Sequence, residues 1–112
     1  MLPKANCIRL TRDFERIFSE KRALNGKFIK IKVIATGLPV VRFGIITSTK
    51  VSKKAVLRNK IRRRIKSILA KNLIKMPSGF DVVVICSPAA AKASFSDLQQ
   101  DINESLSNFF KD

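Results

Sequence analysis

Residues 50–66, KVSKKAVLRNKIRRRIK, concentrate side chains that are suited to binding phosphate groups. The segment contains nine basic residues and no acidic one. The nine are Lys50, Lys53, Lys54, Arg58, Lys60, Arg62, Arg63, Arg64 and Lys66. Like charges at this density repel each other unless a polyanion neutralises them, and solvated helices usually mix both signs. The segment therefore predicts a nucleic-acid-binding surface, and a merely solvated helix is the less favoured alternative.

Charge is divided unevenly along the chain. Residues 1–80 carry 21 Lys and Arg against three Asp and Glu, a net charge of +18. Residues 81–112 carry two basic residues against five acidic ones, a net charge of −3. We expect the C-terminal part to serve the fold more than the binding of an anion. Binding should weaken steeply with salt, because phosphate contacts release counterions.

Groups that could perform catalysis are scarce. The chain has no His, the residue most often used in general acid–base catalysis. Cys7 and Cys86 lie far apart and lack the clustered ligands of a zinc site, and Cys86 is expected to be a buried, inert thiol. The helix acids Asp97, Asp101 and Glu104 are interpreted as solvated positions, and Asp81 as a strand-end cap or a partner for an Arg. These features argue against catalysis by the protein alone.

Single-stranded nucleic acid is bound by a cationic track combined with aromatic platforms for the bases. All eight aromatic residues here are Phe. The candidate rings are Phe14, Phe18, Phe28 and Phe43, which all precede the basic segment in the sequence. Phe residues at helical spacing are more often part of a core, so the composition leaves open which rings are exposed.

The hydrophobic periodicity predicts three helices and three strands in one domain of 112 residues. The predicted order is a helix over 11–22 with Thr11 as N-cap, strands over 27–36 and 40–49, a long helix over 54–74, a strand over 80–86, and a helix from Ser94 with Asp97 completing a capping box. The class is α+β, with a helix, a β-hairpin, a long basic helix, a strand and a helix.

Two of these elements place charge and apolar residues on separate faces. In the first strand, Ile29, Ile31 and Val33 share one face, and Phe28, Lys30, Lys32 and Ile34 share the other. In the long helix, Leu57, Ile61, Ile65, Ile68 and Leu69 should face the sheet, while Arg58, Arg62 and Lys66 form a stripe flanked by Asn59 and Arg63. Gly44, inside the second strand, indicates a bulge or the close approach of another backbone.

The N-terminal residues lack the apolar run of a signal peptide, and no stretch approaches the length of a membrane span. Two free thiols are typical of a reducing compartment. The expected location is the cytoplasm, with no membrane partner.

Residues 55–66, AVLRNKIRRRIK, resemble the signature of the bacterial ribonuclease P protein subunit, an Arg-Asn-basic core followed by further basic residues. Asp13-Phe14 and Ile17-Phe18 are similar to the Asp-Phe-x-x-Val-Phe of that family. Arg42-Phe43-Gly44-Ile45 resembles its Arg-x-Gly-Leu strand. The resemblance covers residues 8–110. The departures are Lys60 where Arg is usual, Arg62 where Lys is usual, Thr49 in place of a Lys, and Ile31 where the family often has an aromatic residue.

The resemblance implies a non-catalytic protein subunit of a ribonucleoprotein endoribonuclease that removes the 5′ leader of precursor tRNA. The RNA subunit would hold Mg²⁺ and perform the hydrolysis. The implied contacts with the RNA subunit are Lys50, Lys53, Lys54, Arg58, Asn59, Lys60, Arg62, Arg63 and Lys66. The implied contacts with the leader are Phe14, Phe18, Phe28, Ile31, Arg42 and Ser48. The resemblance also implies a left-handed β-α-β crossover, and it does not imply a protein partner.

Two other functions compete with this one. A ribosomal protein or another structural RNA-binding protein would carry a similar charge without aiding cleavage. A DNA-binding protein could use residues 54–74 as a recognition helix, but a helix-turn-helix needs a second helix nearby and strands flank this one.

Overall fold

The structure is a computed structural model that describes residues 2–8, 11–20 and 23–110. Its elements in chain order are helix α1 (Thr11–Phe18), strands β1 (Leu24–Asn25), β2 (Ile29–Ala35) and β3 (Val41–Ile46), helix α2 (Ala55–Asn72), strand β4 (Phe80–Cys86) and helix α3 (Phe95–Phe109). Short 3₁₀ segments occupy Lys4–Asn6, Leu73–Lys75 and Pro88–Lys92. None of the helices in this described part is long and apolar enough to cross a membrane.

The four strands form one mixed sheet in the order β1-β2-β4-β3. Strand β4 is central, antiparallel to β2 and parallel to β3. This position follows from its sequence, because Val82, Val83 and Val84 are fully buried and need cover on both faces of the sheet. The α+β class and the order of the predicted elements are confirmed, and the two-residue strand β1 is an addition that the sequence did not predict.

The predicted β-hairpin is wrong, because β4 lies between β2 and β3. The segment between these two strands contains Gly37, which has a φ of +75°. This segment passes over the start of β4 instead of making a tight turn. Gly79 fixes that crossing: its carbonyl accepts from Thr36 N at 2.8 Å, and its N–H donates to Val40 O at 3.0 Å. Helix α2 connects the parallel neighbours β3 and β4, and the hand of this crossover stays a prediction.

The sheet is covered on both faces. Its larger core lies against α2 and α3, where Ile61, Ile65, Ile68 and Leu69 of α2 are buried as their spacing predicted. On the opposite face, Ile17 of α1 and Ile8 pack on Val83 in a second, smaller core. The chain before α1 also pairs with the outer edge of β3, since Cys7 bridges Phe43 and Ile8 N donates to Phe43 O at 2.9 Å.

Helix α1 is shorter than the predicted range of 11–22. It begins with Thr11 inside the helix, which is a correction of the N-cap prediction, and it ends at Phe18. The last carbonyls find other donors: Ser19 Oγ donates to Arg16 O at 2.7 Å, and Lys32 Nζ donates to Phe18 O at 3.1 Å. The end of the predicted range, residues 21–22, lies outside the described residues.

Helix α3 begins as predicted, with both hydrogen bonds of the capping box between Ser94 and Asp97. The interpretation of Asp101 as a solvated residue is wrong, because it is 7% exposed. Its carboxylate accepts backbone N–H groups of Lys27, Phe28 and Ile29 at 2.9, 2.9 and 3.2 Å. Asp101 therefore fastens the start of β2 to α3.

Candidate RNA interface

Helix α1 lies across the strands on the face of the sheet opposite α2 and α3. Lys32, Val83 and Gly44 are in register across β2, β4 and β3. The ring of Phe14 covers Gly44 so closely that a Cβ there would lie 2.5 Å from Phe14 Cε1. At the other end, Lys32 bonds Phe18 O and its Nζ lies 5.9 Å from the Phe18 ring centroid. The close approach that Gly44 predicted is thus made by a side chain, not by another backbone.

The two sides of α1 carry different chemistry. At about 100° per residue, Phe14 and Phe18 project from one side of the helix and Asp13 and Arg16 from the other, with Ile17 between them. Ile17 is fully buried against the sheet. The two rings are stacked, with centroids 6.4 Å apart and planes inclined by 29°. Phe18 is 42% exposed, so this pair presents an aromatic edge to solvent.

Beside these rings the sheet presents the row Lys30, Ile85 and Ile46, which are register partners across β2, β4 and β3. Ile46 and Ile85 are half-buried and pack with Phe14 on the smaller core, while Lys30 is exposed. We call this surface the aromatic cleft, formed by Phe14, Phe18, Lys30, Ile46 and Ile85. An apolar floor with an aromatic wall and a cation suits the stacking of single-stranded bases.

On the other side of α1, charged residues form a network. Arg42 pairs with the fully buried Asp81, and its Nη1 also reaches Asp13 Oδ2 at 3.5 Å. Arg16 Nη2 lies 3.9 Å from Asp81 Oδ2. Hydrogen bonding to Asp81 raises the pKa of Arg42, although desolvation acts in the opposite direction. This confirms Asp81 as a partner for an Arg and leaves Arg42 engaged by two carboxylates.

The structure brings together only part of the predicted leader site. Phe14 and Phe18 meet in the aromatic cleft, whereas Ile31 is 1% exposed and faces the larger core with Ile29 and Val33. The predicted leader contact of Ile31 is therefore wrong, because the helices cover its side chain. Phe28 packs against the larger core on the α3 side.

Arg42, also predicted to contact the leader, is held by the charge network. Ser48 is exposed just beyond the end of β3, where its Oγ accepts from Lys50 N at 3.2 Å.

The basic segment starts where the floor of the cleft ends. Strand β3 ends at Ile46, and the loop that follows exposes Lys50, Lys53 and Lys54. Val51, 6% exposed, anchors this loop in the core. Arg58 Nη1 donates to Ser52 O at 2.8 Å and so ties the first turn of α2 to the loop. The loop cations are thereby held next to the cleft.

Helix α2 presents further cations to solvent. Lys60, Arg63 and Lys66 are exposed, and so is Asn59, whose Oδ1 accepts from Arg62 Nη2 at 2.6 Å. Burial raises the pKa of Cys86 to about 12, while the positive charge of Arg62 acts in the opposite direction. The thiol is therefore protonated at neutral pH, consistent with the predicted inert cysteine.

Sequence reasoning missed Lys30, Ile46 and Ile85 as cleft residues. Alternation in β2 did place Lys30 and Lys32 opposite Ile31, which was a usable signal. Ile46 and Ile85 become neighbours only through the pairing of β3 with β4, which no local pattern predicts. Within residues 2–8, 11–20 and 23–110, no group of three or more His, Cys, Asp or Glu side chains could hold a metal ion.

Known proteins resemble this chain in both sequence and fold. The model of the family described as Ribonuclease P matches residues 2–109. The chain is similar to the ribonuclease P protein component of Pseudanabaena, at 30% identity over 95% of this chain and 92% of the relative. The structure resembles the RNase P protein of Staphylococcus aureus, with a TM-score of 0.86, 25% identity, and coverage of 96% and 97% of the two chains.

A second solved structure, the RNase P protein from Thermotoga maritima, gives a TM-score of 0.81 at 30% identity. It covers 90% of this chain and 94% of the Thermotoga chain. Both the sequence match and the shared fold span nearly all of the described residues, including the aromatic cleft and α2. The chain belongs to the ribonuclease P protein family.

Proposed function

We propose that this chain is the protein subunit of ribonuclease P and binds both the RNA subunit and the 5′ leader of precursor tRNA. The observation that carries the proposal is the placement of the aromatic cleft directly before the basic loop and α2. A single strand in the cleft would continue toward cations that can engage a folded RNA. Family membership supports this assignment over a ribosomal protein, because the relatives are named as ribonuclease P components.

The proposed division of labour assigns the hydrolysis to the RNA subunit, with Mg²⁺ held by that RNA and the substrate. When bound there, Mg²⁺ would activate water and stabilise the leaving oxygen. The protein would offset phosphate repulsion with Lys53, Lys54, Lys60, Arg63 and Lys66, which are exposed. It would thereby lower the Mg²⁺ concentration that cleavage requires. The unpaired Cys7 and Cys86 support the cytoplasm as the location.

The test is cleavage of a 5′-extended precursor tRNA by a bacterial ribonuclease P RNA at low Mg²⁺, with and without this protein. We expect cleavage at the mature 5′ end only when both components are present. Binding to the RNA without stimulation of cleavage at any Mg²⁺ concentration would instead indicate a structural RNA-binding protein. Mature tRNA has no leader and cannot be cleaved, so it serves as the matched RNA in a binding measurement of what the cleft contributes.

A further inference from the structure

Helix α2 carries cations on two opposite flanks. At about 100° per residue, Arg62 and Lys66 lie on one side of the buried stripe, and Arg64 and Lys71 lie on the other. The second pair faces α3, as its contacts show. Arg64 Nη1 donates to Ala93 O at 3.5 Å, and Lys71 Nζ lies 5.4 Å from the ring centroid of Phe95. We call the surface between the two helices the α2–α3 seam, formed by Arg64, Lys71, Lys92, Phe95, Gln99 and Asn103.

Each of the two cations contacts a neutral group and is not neutralised. The Ala93 carbonyl orients the guanidinium of Arg64, and the face of the Phe95 ring attracts the ammonium of Lys71. Among the residues that the structure describes, neither side chain forms an ion pair. Lys92, just before Ala93, adds an exposed cation. Contacts of this kind restrict a side chain in part, so less conformational freedom is lost when it binds an anion.

Helix α3 carries Asp97 and Asp101 on the side away from the seam, and Glu104 borders only Asn103 at the edge of the seam. Asp97, Asp101 and Glu104 line a small cavity on the opposite side of α3, together with Lys27 and Phe28 of the β1–β2 turn. Toward α2 the helix presents Phe95, Gln99 and Asn103, which are spaced four residues apart. Asn103 Oδ1 accepts from Asn72 Nδ2 of α2 at 2.9 Å. The seam thus combines free positive charge with neutral amide groups, although α3 as a whole is acidic.

We propose that the α2–α3 seam binds an RNA phosphate backbone that is separate from the strand bound by the opposite flank of α2. Arg64 and Lys71 would contact phosphates, and the amides of Gln99 and Asn103 would donate to phosphate oxygens or accept from ribose hydroxyls. Helix α2 then lies between two backbones, with cations directed at each. This proposal rests on the proposed function only in that the ligand is RNA. The phosphates belong either to the RNA subunit or to precursor tRNA.

The first experiment compares two double variants that each lower the net charge by two. Arg64→Gln/Lys71→Gln alters the seam, and Lys4→Gln/Lys27→Gln alters exposed lysines elsewhere. Affinity for a bacterial ribonuclease P RNA, and for precursor tRNA on the preassembled complex, is measured across salt concentrations. We expect the seam variant to make the slope of log K against log salt shallower by roughly 1.5 units for one of the two RNAs. The control should change it by less than about half a unit.

The two arms separate the sources of phosphate. A shallower salt slope only for the RNA subunit assigns the phosphates to that subunit. A shallower slope only for precursor tRNA assigns them to the substrate. An unchanged slope in both arms, or an equal change in the control, overturns the proposal. If the wild-type protein fails to stimulate cleavage but the seam variant still loses its salt slope, then the proposed function fails while the seam remains an RNA site.

A footprint distinguishes two backbones from one. The nucleotides that lose protection in Arg64→Gln/Lys71→Gln should differ from those that lose it in Arg62→Gln/Lys66→Gln. Loss at the same nucleotides would contradict the two-backbone arrangement. Phe95→Leu gives a variant that keeps an apolar side chain and all charges. It should weaken RNA binding about two- to fivefold through Lys71 alone, with little change when Lys71→Gln is already present.

Discussion

Arg42 and Asp81 join two neighbouring strands through a bidentate ion pair. Arg42 Nε and Nη2 donate to the two carboxylate oxygens of Asp81 at 2.8 and 2.5 Å. Helix α1 is tied to this pair through Asp13 and Arg16. The side chain predicted to touch the leader therefore holds the helix that carries Phe14 and Phe18. Arg42 is a structural support of the aromatic cleft.

Removing the buried charge of this pair should destabilise the fold strongly. In Asp81→Asn, Arg42 keeps its charge but loses its main partner. We expect the free energy of unfolding, measured in urea, to fall by about 3–5 kcal/mol. Arg16→Gln is the control, since Arg16 is 52% exposed and lies 3.9 Å from the carboxylate. It should cost less than about 1 kcal/mol. Equal losses in the two variants would mean that the Arg42–Asp81 pair is not the stabilising contact.

Phe18→Ala should affect leader binding more than stability, because Phe18 is 42% exposed. We expect the difference in affinity between precursor tRNA and mature tRNA to shrink by about 1–3 kcal/mol if a base stacks on this ring. Phe28→Ala is the matched control, since Phe28 packs on the α3 side and should not distinguish the two RNAs. Equal weakening of both RNAs by Phe18→Ala would place that ring outside the leader site.

Gly44→Ala should displace α1 from the sheet, because the new Cβ would lie 2.5 Å from Phe14 Cε1. Overpacking of this kind costs about 1–3 kcal/mol of unfolding free energy. Leader discrimination should fall with it, while affinity for the RNA subunit through α2 stays within about twofold of wild type.

Gly37→Ala is the control for a glycine substitution that strains only the backbone. It has a φ of +75° and open space around it, so it should cost about 1–2 kcal/mol and leave leader discrimination intact. A Gly44→Ala protein with wild-type discrimination would show that the position of Phe14 does not matter.

Asp101→Asn should loosen the start of β2. The carboxylate accepts three backbone N–H groups, and hydrogen bonds to a charged group contribute about 1.5–3 kcal/mol. We expect a loss of that size in chemical unfolding. Glu104→Gln should change stability by less than about 0.5 kcal/mol, because Glu104 is exposed and its carboxylate accepts from Gln100 Nε2 at 3.2 Å. An Asp101→Asn protein with wild-type unfolding free energy would show that this carboxylate does not stabilise the start of β2.

Cys86 should make the fold sensitive to alkali. Burial raises the pKa of its thiol from 9.0 to about 12, so the folded state holds this proton more tightly than the unfolded state. The stabilisation is complete below pH 9 and is lost as pH rises from about 9 toward 12, with a slope of at most about 1.4 kcal/mol per pH unit. Urea unfolding at pH 8 and pH 10 should show a smaller decrease in Cys86→Ala than in wild type. An identical decrease would remove Cys86 as the titrating group.

Sequence patterns predicted elements well where the pattern is local. The spacing of Ile61, Ile65 and Ile68 predicted α2 and its buried face, and the apolar run of 80–86 predicted β4 with its observed bounds. Alternation also placed Ile31 with Ile29 and Val33 on one face. The structure buries that whole face in the larger core, whereas the family resemblance suggested a leader contact for Ile31.

Features that depend on the order of the strands in the sheet could not be predicted from local sequence patterns. An apolar run predicts burial but does not identify its partners, so the sequence predicts a hairpin of β2 and β3 and gives no sign that β4 lies between them. For the same reason Asp81 was expected to meet an Arg, but Arg42 could be identified only through the register of β3 with β4. Likewise, Asp101 has the helical spacing of a solvated acid, and only the turn before β2 explains its burial.

The central strand is also the last one to be synthesised. Lys32 of β2 pairs with Val83 of β4, 51 positions later, and Gly44 of β3 shares that partner. During synthesis, β2 and β3 therefore cannot join one sheet until α2 and then β4 have been made, because β4 lies between them. Contacts of such sequence separation slow folding. The nascent chain thus exposes the basic helix α2 before the sheet that covers its apolar face has formed, so its cations are open to a polyanion before the chain is complete.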